Sequence, residues 1–445
     1  MSIRFFFALA CLVLTFFRSD AGPVEQLIGA ATQTNFAYTR LARLCDTFGP
    51  RLSGSTNLEA AIDWILSEMK SDGLENVHGE DAAVPHWVRG AESAEMLLPR
   101  PHALPMLGLG GSIATPASGI TAEVLVVTNF ADLRARPEDA QGKIVLINQP
   151  FTGYGETVQI RHHGAAVAAQ AGAVACLIRS VTPFSIQSPH TGAMEYSNDI
   201  PKIPAAAITV EDAEMMARMQ ERGQKIVVRL KMSAATLPDA HSRNIIAEVA
   251  GREHPEEVVI VSGHIDSWDV GQGAMDDGGG AMTAWETVRL MHILGLRPRR
   301  TIRAVLWTNE ENGTAGAQAY ERSHKDQLGR HVLAMESDSG VFQPRGFSFE
   351  GSDSALGIIK QFVAPLKLMG ADTITTGEVE ADVGELRPDG VPTLALQVDG
   401  TKYFWYHHTQ ADTIDKLDPH EIGECVAAVA AMAYQVADAD TPLPR

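Results

Sequence analysis

The second half of the chain carries side chains whose types and spacing suit metal-dependent hydrolysis. His264 is followed two residues later by Asp266, and the acidic pair Asp276 and Asp277 precedes Gly278. Four further candidates come later in the chain: Glu310, Glu311, Asp338 and His408. Imidazole and carboxylate groups are ligands that zinc and related divalent ions prefer in proteins. The pattern therefore predicts a metal centre that activates water.

A centre with two divalent ions about 3.5–4 Å apart needs a carboxylate between the ions and further nitrogen or oxygen ligands on each ion. Asp276 is the candidate for the bridging position. His264 and Asp338 are predicted to bind one ion, and Glu311 and His408 the other. The mixed ligand set favours two Zn²⁺ ions, with cobalt or manganese as substitutes.

Glu310 has a different predicted role from its neighbour Glu311. Side chains of adjacent residues diverge, so that one carboxylate can bind metal while the other faces water. Metal ions lower the pKa of water, and a nearby carboxylate can then take its proton and pass it to a leaving amine. Glu310 is therefore the candidate general base.

Two neighbouring side chains complete the predicted site. Asp266 is predicted to accept the imidazole N–H of His264 and not to bind metal itself. His407 is the alternative to His408 as a ligand, but the spacing of four residues between His408 and Asp412 favours His408.

Short apolar runs precede most of these residues and predict strands that end near the site. The predicted strands cover 244–249, 257–262, 301–307, 331–335 and 393–398. Predicted helices cover 280–294, about 315–321, and a helix with an apolar face from Leu58 to Met69. A last helix is predicted to begin at Asp418 as N-cap, with Pro419 next. The carboxyl edge of such a sheet is where ligands bind.

The fold class predicted from this alternation is α/β, with a mostly parallel mixed sheet covered by helices on both faces. The segment 74–111 is rich in proline and glycine and is predicted to be irregular. From 114 to 237 the pattern is that of a small separate α/β domain, with strands at 122–127, 143–147, 174–178 and 226–230 and an Ala-rich helix at 158–171. The catalytic domain is predicted to comprise 22–113 and 238–445.

Composition limits the possible partners. The chain has 445 residues and a formal net charge of −19, which argues against nucleic acid and against an anionic membrane surface. Residues 1–21, with Arg4 before an apolar run from Phe5 to Phe17, are predicted to be a signal peptide. Past this segment Cys45, Cys176 and Cys425 remain, and they are predicted to be buried thiols, with a bridge between Cys45 and Cys425 as the alternative.

The catalytic segments resemble the M28 family of co-catalytic zinc peptidases. The family pattern runs His-x-Asp, Asp-Asp-Gly, Glu-Glu, Asp, and then His four residues before Asp-Thr, and each part is found here. The stretch from Gly263 to Gly278, the run Met335-Glu336-Ser337-Asp338 and the residues from Tyr403 to His408 carry the resemblance. The segment 114–237 resembles a protease-associated domain.

The resemblance implies a zinc-peptidase phosphorylase/hydrolase-like fold and a secreted carboxypeptidase or dipeptidase that acts on short peptides with free ends. It also implies two zinc ions, a homodimer and a cis bond after Asp276. The expected location is extracytoplasmic: extracellular, periplasmic or lysosomal. An aminopeptidase of the same family is the main alternative, and a receptor-like binding protein without activity is a lesser one.

Overall fold

The computed structural model describes residues 21–184, 186–377, 379 and 381–445. The strands are β1 (Glu75–Val88), β2 (Glu92–Leu98), β3 (His102–Leu104), β4 (Met106–Gly108), β5 (Ile120–Val127), β6 (Ile144–Ile147), β7 (Ala175–Arg179), β8 (Ala205–Ile208), β9 (Val227–Met232), β10 (Ala235–Val249), β11 (His254–His264), β12 (Arg300–Trp307), β13 (His331–Glu336), β14 (Pro344–Glu350), β15 (Thr373–Thr376) and β16 (Thr393–Val398). The predicted leader 1–21 lies outside the described residues except for Ala21.

The helices are α1 (Pro23–Gln33), α2 (Phe36–Phe48), α3 (Thr56–Ser71), α4 (Phe130–Ala135), α5 (Tyr154–Thr157), α6 (Gln159–Gln170), α7 (Val210–Glu221), α8 (Gly279–Ile293), α9 (Ala315–His324), α10 (Asp353–Phe362), α11 (Tyr403–Tyr406) and α12 (Pro419–Asp438). The Ser55 hydroxyl caps α3 by accepting from the Leu58 N–H, and Asp418 caps α12 by accepting from the His420 N–H. Among the described residues, no helix combines the length and the apolar character needed to cross a bilayer.

One sheet has the order β1-β10-β12-β11-β13-β16-β14-β15. Its central strands β12, β11, β13 and β16 run parallel, and β1, β10 and β14 join it by antiparallel pairing. Apolar residues of α1, α2, α3, α8 and α12 pack in the main core on one face. Residues of α9 and of the segment 382–389 pack in a smaller core on the other face. The predicted α/β class with a mixed, mostly parallel sheet is confirmed.

A second sheet has the order β3-β2-β9-β5-β6-β7-β8-β4 and carries the inserted segment. Its central strands β5 to β8 are parallel, and α6 and α7 cover them. This sheet also takes in β2, β3 and β4, which precede residue 114. The domain limits 22–113, 114–237 and 238–445 stay predictions.

The prediction that 74–111 is irregular is wrong, because β1 to β4 lie there. Strand β1 pairs along most of its length with β10, and the register shifts between Val84 and His86. Pro85 lies at this shift, and β1 is an edge strand, so the missing proline N–H costs no ladder bond. The proline that suggested a loop is therefore compatible with a strand.

Cys45, Cys176 and Cys425 are buried free thiols. The interpretation as buried thiols is confirmed, and the alternative bridge between Cys45 and Cys425 is not formed.

Candidate metal centre and peptide-binding cavity

The candidate residues converge at the carboxyl ends of the central parallel strands. His264 is the last residue of β11, Glu310 and Glu311 follow β12, and Asp338 lies two residues after β13. Asp276 lies in the wide helical turn Ala274–Gly278 that leads into α8. His408 lies two residues after the end of α11.

Asp276 lies at the middle of the group. Its Oδ1 is 3.4 Å from His264 Nε2, and its Oδ2 is 3.2 Å from His408 Nε2. Asp338 Oδ1 lies 3.3 Å from His264 Nε2, and Glu311 Oε2 lies 3.0 Å from His408 Nε2. The two oxygens of one carboxylate thus face two separate pairs of donors.

The separations on the His264 side, 3.3 and 3.4 Å, fit tetrahedral zinc, and those on the His408 side, 3.0 and 3.2 Å, are slightly shorter than the expected range. Zinc bonds of about 2.0–2.2 Å at tetrahedral angles place neighbouring donor atoms about 3.3–3.6 Å apart. In the described part of the chain, the buried atoms His264 Nε2 and Asp276 Oδ2 have no hydrogen-bond partner. Buried polar atoms normally have partners, so these two suit direct contact with a cation.

The pKa shifts of the buried carboxyl groups also indicate a cation site. Burial raises the pKa of Glu310 to about 8, and the charge of Asp338 contributes to the rise. Burial also raises the pKa of Glu311, with the charge of Asp276 adding to it. Burial acts on Asp276 too, but the neighbouring imidazoles of His264 and His408 lower the pKa of that carboxyl overall. Closely spaced buried carboxylates of this kind are what a divalent cation stabilises.

Asp266 differs in detail from its predicted role. His264 Nδ1 lies 3.0 Å from the backbone oxygen of Asp266, while the Asp266 carboxylate is 3.7 Å away. The carboxylate instead accepts the backbone N–H groups of Glu310 at 3.0 Å and Glu311 at 3.3 Å. Asp266 therefore orients His264 through its main chain and fixes the Glu310 and Glu311 backbone through its side chain.

Asp412 and Asp277 hold the turn that presents Asp276. Asp412 accepts the backbone N–H groups of Ala274, Met275 and Asp276 at 2.8–3.3 Å. The bond between Asp276 and Asp277 is cis, as expected from the family resemblance. The Asp277 carboxylate turns away from the cluster and accepts the N–H groups of His264 and Gly280.

Arg51 clamps the loop between β11 and this turn, a role that the sequence did not reveal. Its guanidinium is fully buried and donates to the carbonyl oxygens of Gly49, Ile265, Gln272 and Gly273. Its backbone N–H donates to the Ser267 hydroxyl at 3.0 Å. One side chain thus connects the segment after α2 to both ends of the loop between β11 and the turn that presents Asp276.

We expect Arg51→Met to lower the free energy of unfolding by about 3–5 kcal/mol, since several buried carbonyl oxygens lose their donor and each unpaired group costs about 1–3 kcal/mol. Urea denaturation at equilibrium measures this. Arg218→Met is the matched control, because Arg218 is 57% exposed and, among the described residues, its ion pair is with Glu214 on the helix surface. Equal stability of the two variants would contradict the clamp.

His407 lies closer to the centre than expected. Its Nε2 is 3.6 Å from Asp276 Oδ2, and its ring stacks on that of His408 with centroids 3.5 Å apart and an angle of 21°. The ligand atoms of Asp276, His407 and His408 lie close enough together to hold one ion, so His407 is a candidate for a further ligand. His408, which also contacts Glu311, has the better ligand geometry.

A cavity of about 680 Å³ opens over the candidate centre, between the two sheets' domains. The catalytic side contributes Asp276, Glu310, Glu311, Asp338, Tyr403 and Phe404, among others. The inserted domain contributes Tyr154, Arg161, His162, Ala193, Met194 and Glu195. None of Tyr154, Arg161 and His162 is predicted from the sequence to be a site residue. The only sequence signal was the basic run 161–163 in an otherwise Ala-rich helix.

Comparison with known proteins identifies the family. The pattern of peptidase family M28 matches residues 244–433, and that of the PA domain matches 111–216. Carboxypeptidase Q from Mus musculus is 53% identical over 411 residues, which cover 92% of this chain and 87% of the mouse protein. The chain belongs to peptidase family M28.

Solved structures agree with this assignment. The M28 peptidase precursor from Shewanella amazonensis superposes with a TM-score of 0.91 at 34% identity and covers 95% of this chain and 97% of its own. A zinc aminopeptidase from Bacillus subtilis shares the fold, with a TM-score of 0.69 at 21% identity over 91% of this chain and 95% of its own. The predicted M28 membership and the inserted PA domain are confirmed, so the protein is a peptide hydrolase of this family.

Proposed function

We propose that the protein is a secreted zinc-dependent exopeptidase that hydrolyses dipeptides and short peptides with free termini, as a carboxypeptidase or dipeptidase. The M28 family implies zinc, and the similarity to carboxypeptidase Q favours release of a C-terminal residue. Secretion is proposed from the predicted leader 1–21. A homodimer is proposed from the family resemblance alone.

The proposed ligand set follows the donor distances. His264 and Asp338 would hold one zinc ion, Glu311 and His408 the other, and Asp276 would contact both. When bound, zinc supplies a Lewis acid that polarises a peptide carbonyl and acidifies water. That the described residues bring all five side chains together disfavours a receptor-like protein without activity.

Glu310 is the proposed general base. It lines the cavity next to Asp276 and Asp338, and the Asp266 carboxylate fixes its backbone. In the proposed reaction Glu310 takes a proton from water as the water oxygen attacks the scissile carbonyl carbon. Glu310 then gives the proton to the amine nitrogen as the C–N bond breaks.

The position of Arg161 in the cavity favours recognition of a free carboxylate of the substrate over recognition of its free amine. Among the described residues that line the cavity, Arg161 is the one Lys or Arg. It is only 5% exposed and has no carboxylate within ion-pair distance in the described structure. Its guanidinium contacts the Ala193 oxygen, the Tyr154 hydroxyl and His408 Nδ1, which leaves part of its five N–H groups free. A substrate α-carboxylate is the partner this cation lacks.

We expect Arg161→Met to lower kcat/KM for dipeptides with a free C-terminus by about 10- to 100-fold, since hydrogen bonds to a charged group contribute about 1.5–3 kcal/mol. Hydrolysis of C-amidated dipeptides, which we expect to be slow in the wild type, should change little. Steady-state kinetics on the acid and amide substrates measure the difference.

Arg134→Met, at an exposed position of the same domain, is the matched control and should behave like the wild type. Two results would contradict the carboxylate anchor: wild-type enzyme that hydrolyses C-amidated and free dipeptides equally well, or Arg161→Met losing activity equally on both. Strong hydrolysis of amides with rejection of N-blocked dipeptides would support the aminopeptidase alternative.

A further inference from the structure

The segment 403–408, which carries His408, is held by the inserted domain. The Thr182 hydroxyl donates to the Phe404 carbonyl oxygen at 2.6 Å, and the Thr191 N–H donates to the His408 carbonyl oxygen at 3.0 Å. The Phe404 ring stacks on Tyr154, with centroids 4.8 Å apart and an angle of 23°. Three contacts from the insertion therefore surround one short catalytic segment.

The inserted domain also supplies a hydrogen-bond acceptor for the nitrogen of the His408 imidazole that faces away from the candidate metal centre. The imidazole Nε2 faces Asp276 and Glu311, while Nδ1 lies 3.3 Å from the backbone oxygen of Thr191. A histidine that binds metal through Nε2 carries its proton on Nδ1 and donates it to an acceptor that fixes the ring. In that state Thr191 is the acceptor, since the guanidinium of Arg161 has only donors.

The backbone of His408 needs such support. Its φ is +59°, in the left-handed region that residues other than glycine occupy at a cost. A conformation of this kind persists only where the surroundings hold it. The reciprocal contacts with Thr191, one to the His408 carbonyl and one from its ring, supply that support.

Thr191 is itself fixed where the segment 191–194 crosses the end of β4 in the second sheet. The backbone of the segment 192–194 pairs with Gly110, and the Thr191 hydroxyl donates to the Gly108 oxygen at 2.8 Å. Gly192 has a φ of +140°, and a Cβ there would lie 2.3 Å from the Arg161 guanidinium. A side chain at Gly192 therefore cannot be accepted without moving Thr191 or Arg161.

We infer that the inserted domain is part of the metal site: the Thr191 carbonyl is a positioning group that orients His408, so that zinc affinity on the His408 side depends on how the insertion docks. The inference rests on the proposed role of His408 as a ligand. It assigns the insertion a part in building the centre in addition to its part in the cavity wall.

Zinc affinity of the full-length protein, measured by competition with a graded chelator, tests the inference. We expect Gly192→Ala to lower the affinity for the zinc ion that His408 would hold by about 10- to 100-fold, which is the usual effect of losing a contact that orients a metal ligand. The affinity for the ion that His264 would hold should stay unchanged. Gly142→Ala is the matched control, because Gly142 has a φ of +71° and open space around it. Co²⁺ absorption spectra should change for Gly192→Ala alone.

Thr182 gives a second, milder test that does not depend on how Gly192→Ala folds. Thr182→Val removes the hydroxyl that donates to the Phe404 carbonyl oxygen and should lower the affinity for the same zinc ion. Thr182→Ser keeps the hydroxyl and should have wild-type affinity. The inference would be overturned if folded Gly192→Ala bound both zinc ions with wild-type affinity. It would also be overturned if Thr182→Val and Thr182→Ser had equal zinc affinities. Either result would leave the proposed function intact. A wild-type protein that binds no zinc would instead overturn the proposed function.

Discussion

Glu310→Gln is expected to lose nearly all peptidase activity while keeping its zinc. General acid–base catalysis contributes about 10²- to 10⁴-fold, and glutamine cannot accept and return a proton, so we expect kcat to fall by about that factor. Substrate binding should change little, because Gln has the size of Glu and Glu310 is not among the proposed ligands. Single-turnover kinetics with metal analysis on the same preparation measure both quantities.

Glu385→Gln is a suitable control for Glu310→Gln. Glu385 accepts from the Thr314 hydroxyl at 2.8 Å and does not line the cavity, so its neutralisation should leave kcat unchanged. Retention of more than about a tenth of wild-type kcat by Glu310→Gln would rule out the proposed general base. Loss of zinc together with activity would assign Glu310 to the ligand set instead.

Asp276→Ala is expected to abolish tight binding of both zinc ions. Each Asp276 oxygen faces a different histidine, at 3.4 Å and 3.2 Å, so its removal takes one ligand from each proposed ion. We expect zinc affinity to fall by more than about 100-fold, the upper end of the effect of losing an outer contact. Isothermal titration of the metal-free protein gives the affinity and the stoichiometry.

Asp338→Ala is the informative comparison for Asp276→Ala. Asp338 contacts only the His264 side, so this variant should keep one zinc ion at near wild-type affinity. The expected stoichiometries are therefore two for the wild type, one for Asp338→Ala and none for Asp276→Ala at micromolar zinc. If Asp276→Ala kept one ion at wild-type affinity, the bridging role would be wrong.

Sequence reasoning located the central strands because buried parallel strands are continuous apolar runs. Strand β16 occurs at Thr393–Val398 as predicted, and β12 begins one residue early, at Arg300. The convergence of His264, Glu311 and Asp338 followed from the geometry of a parallel sheet, in which the strand ends meet at one edge. These features are local or follow from topology, and one sequence suffices for them.

The features that the sequence did not reveal depend on contacts between distant segments. Arg51 donates to carbonyl oxygens more than two hundred residues away, and no local pattern marks such a side chain. Arg161 lies in an Ala-rich helix, and its place in the cavity follows only from the docking of two domains. The sequence predicted that Asp266 accepts a hydrogen bond from the His264 imidazole. Whether its backbone or its carboxylate oxygen does so depends on the loop conformation, which residue spacing does not fix.

The clamp at Arg51 has a consequence for maturation of the polypeptide. Helix α1 packs against α12 in the main core, and Arg51 follows α2 after a short connection. The stretch that comes after the predicted leader thus packs as part of the main core, and we expect that it is not a detachable pro-segment. We expect that trimming as far as Arg51 would remove two core helices, release the loop that presents Asp276 and abolish activity.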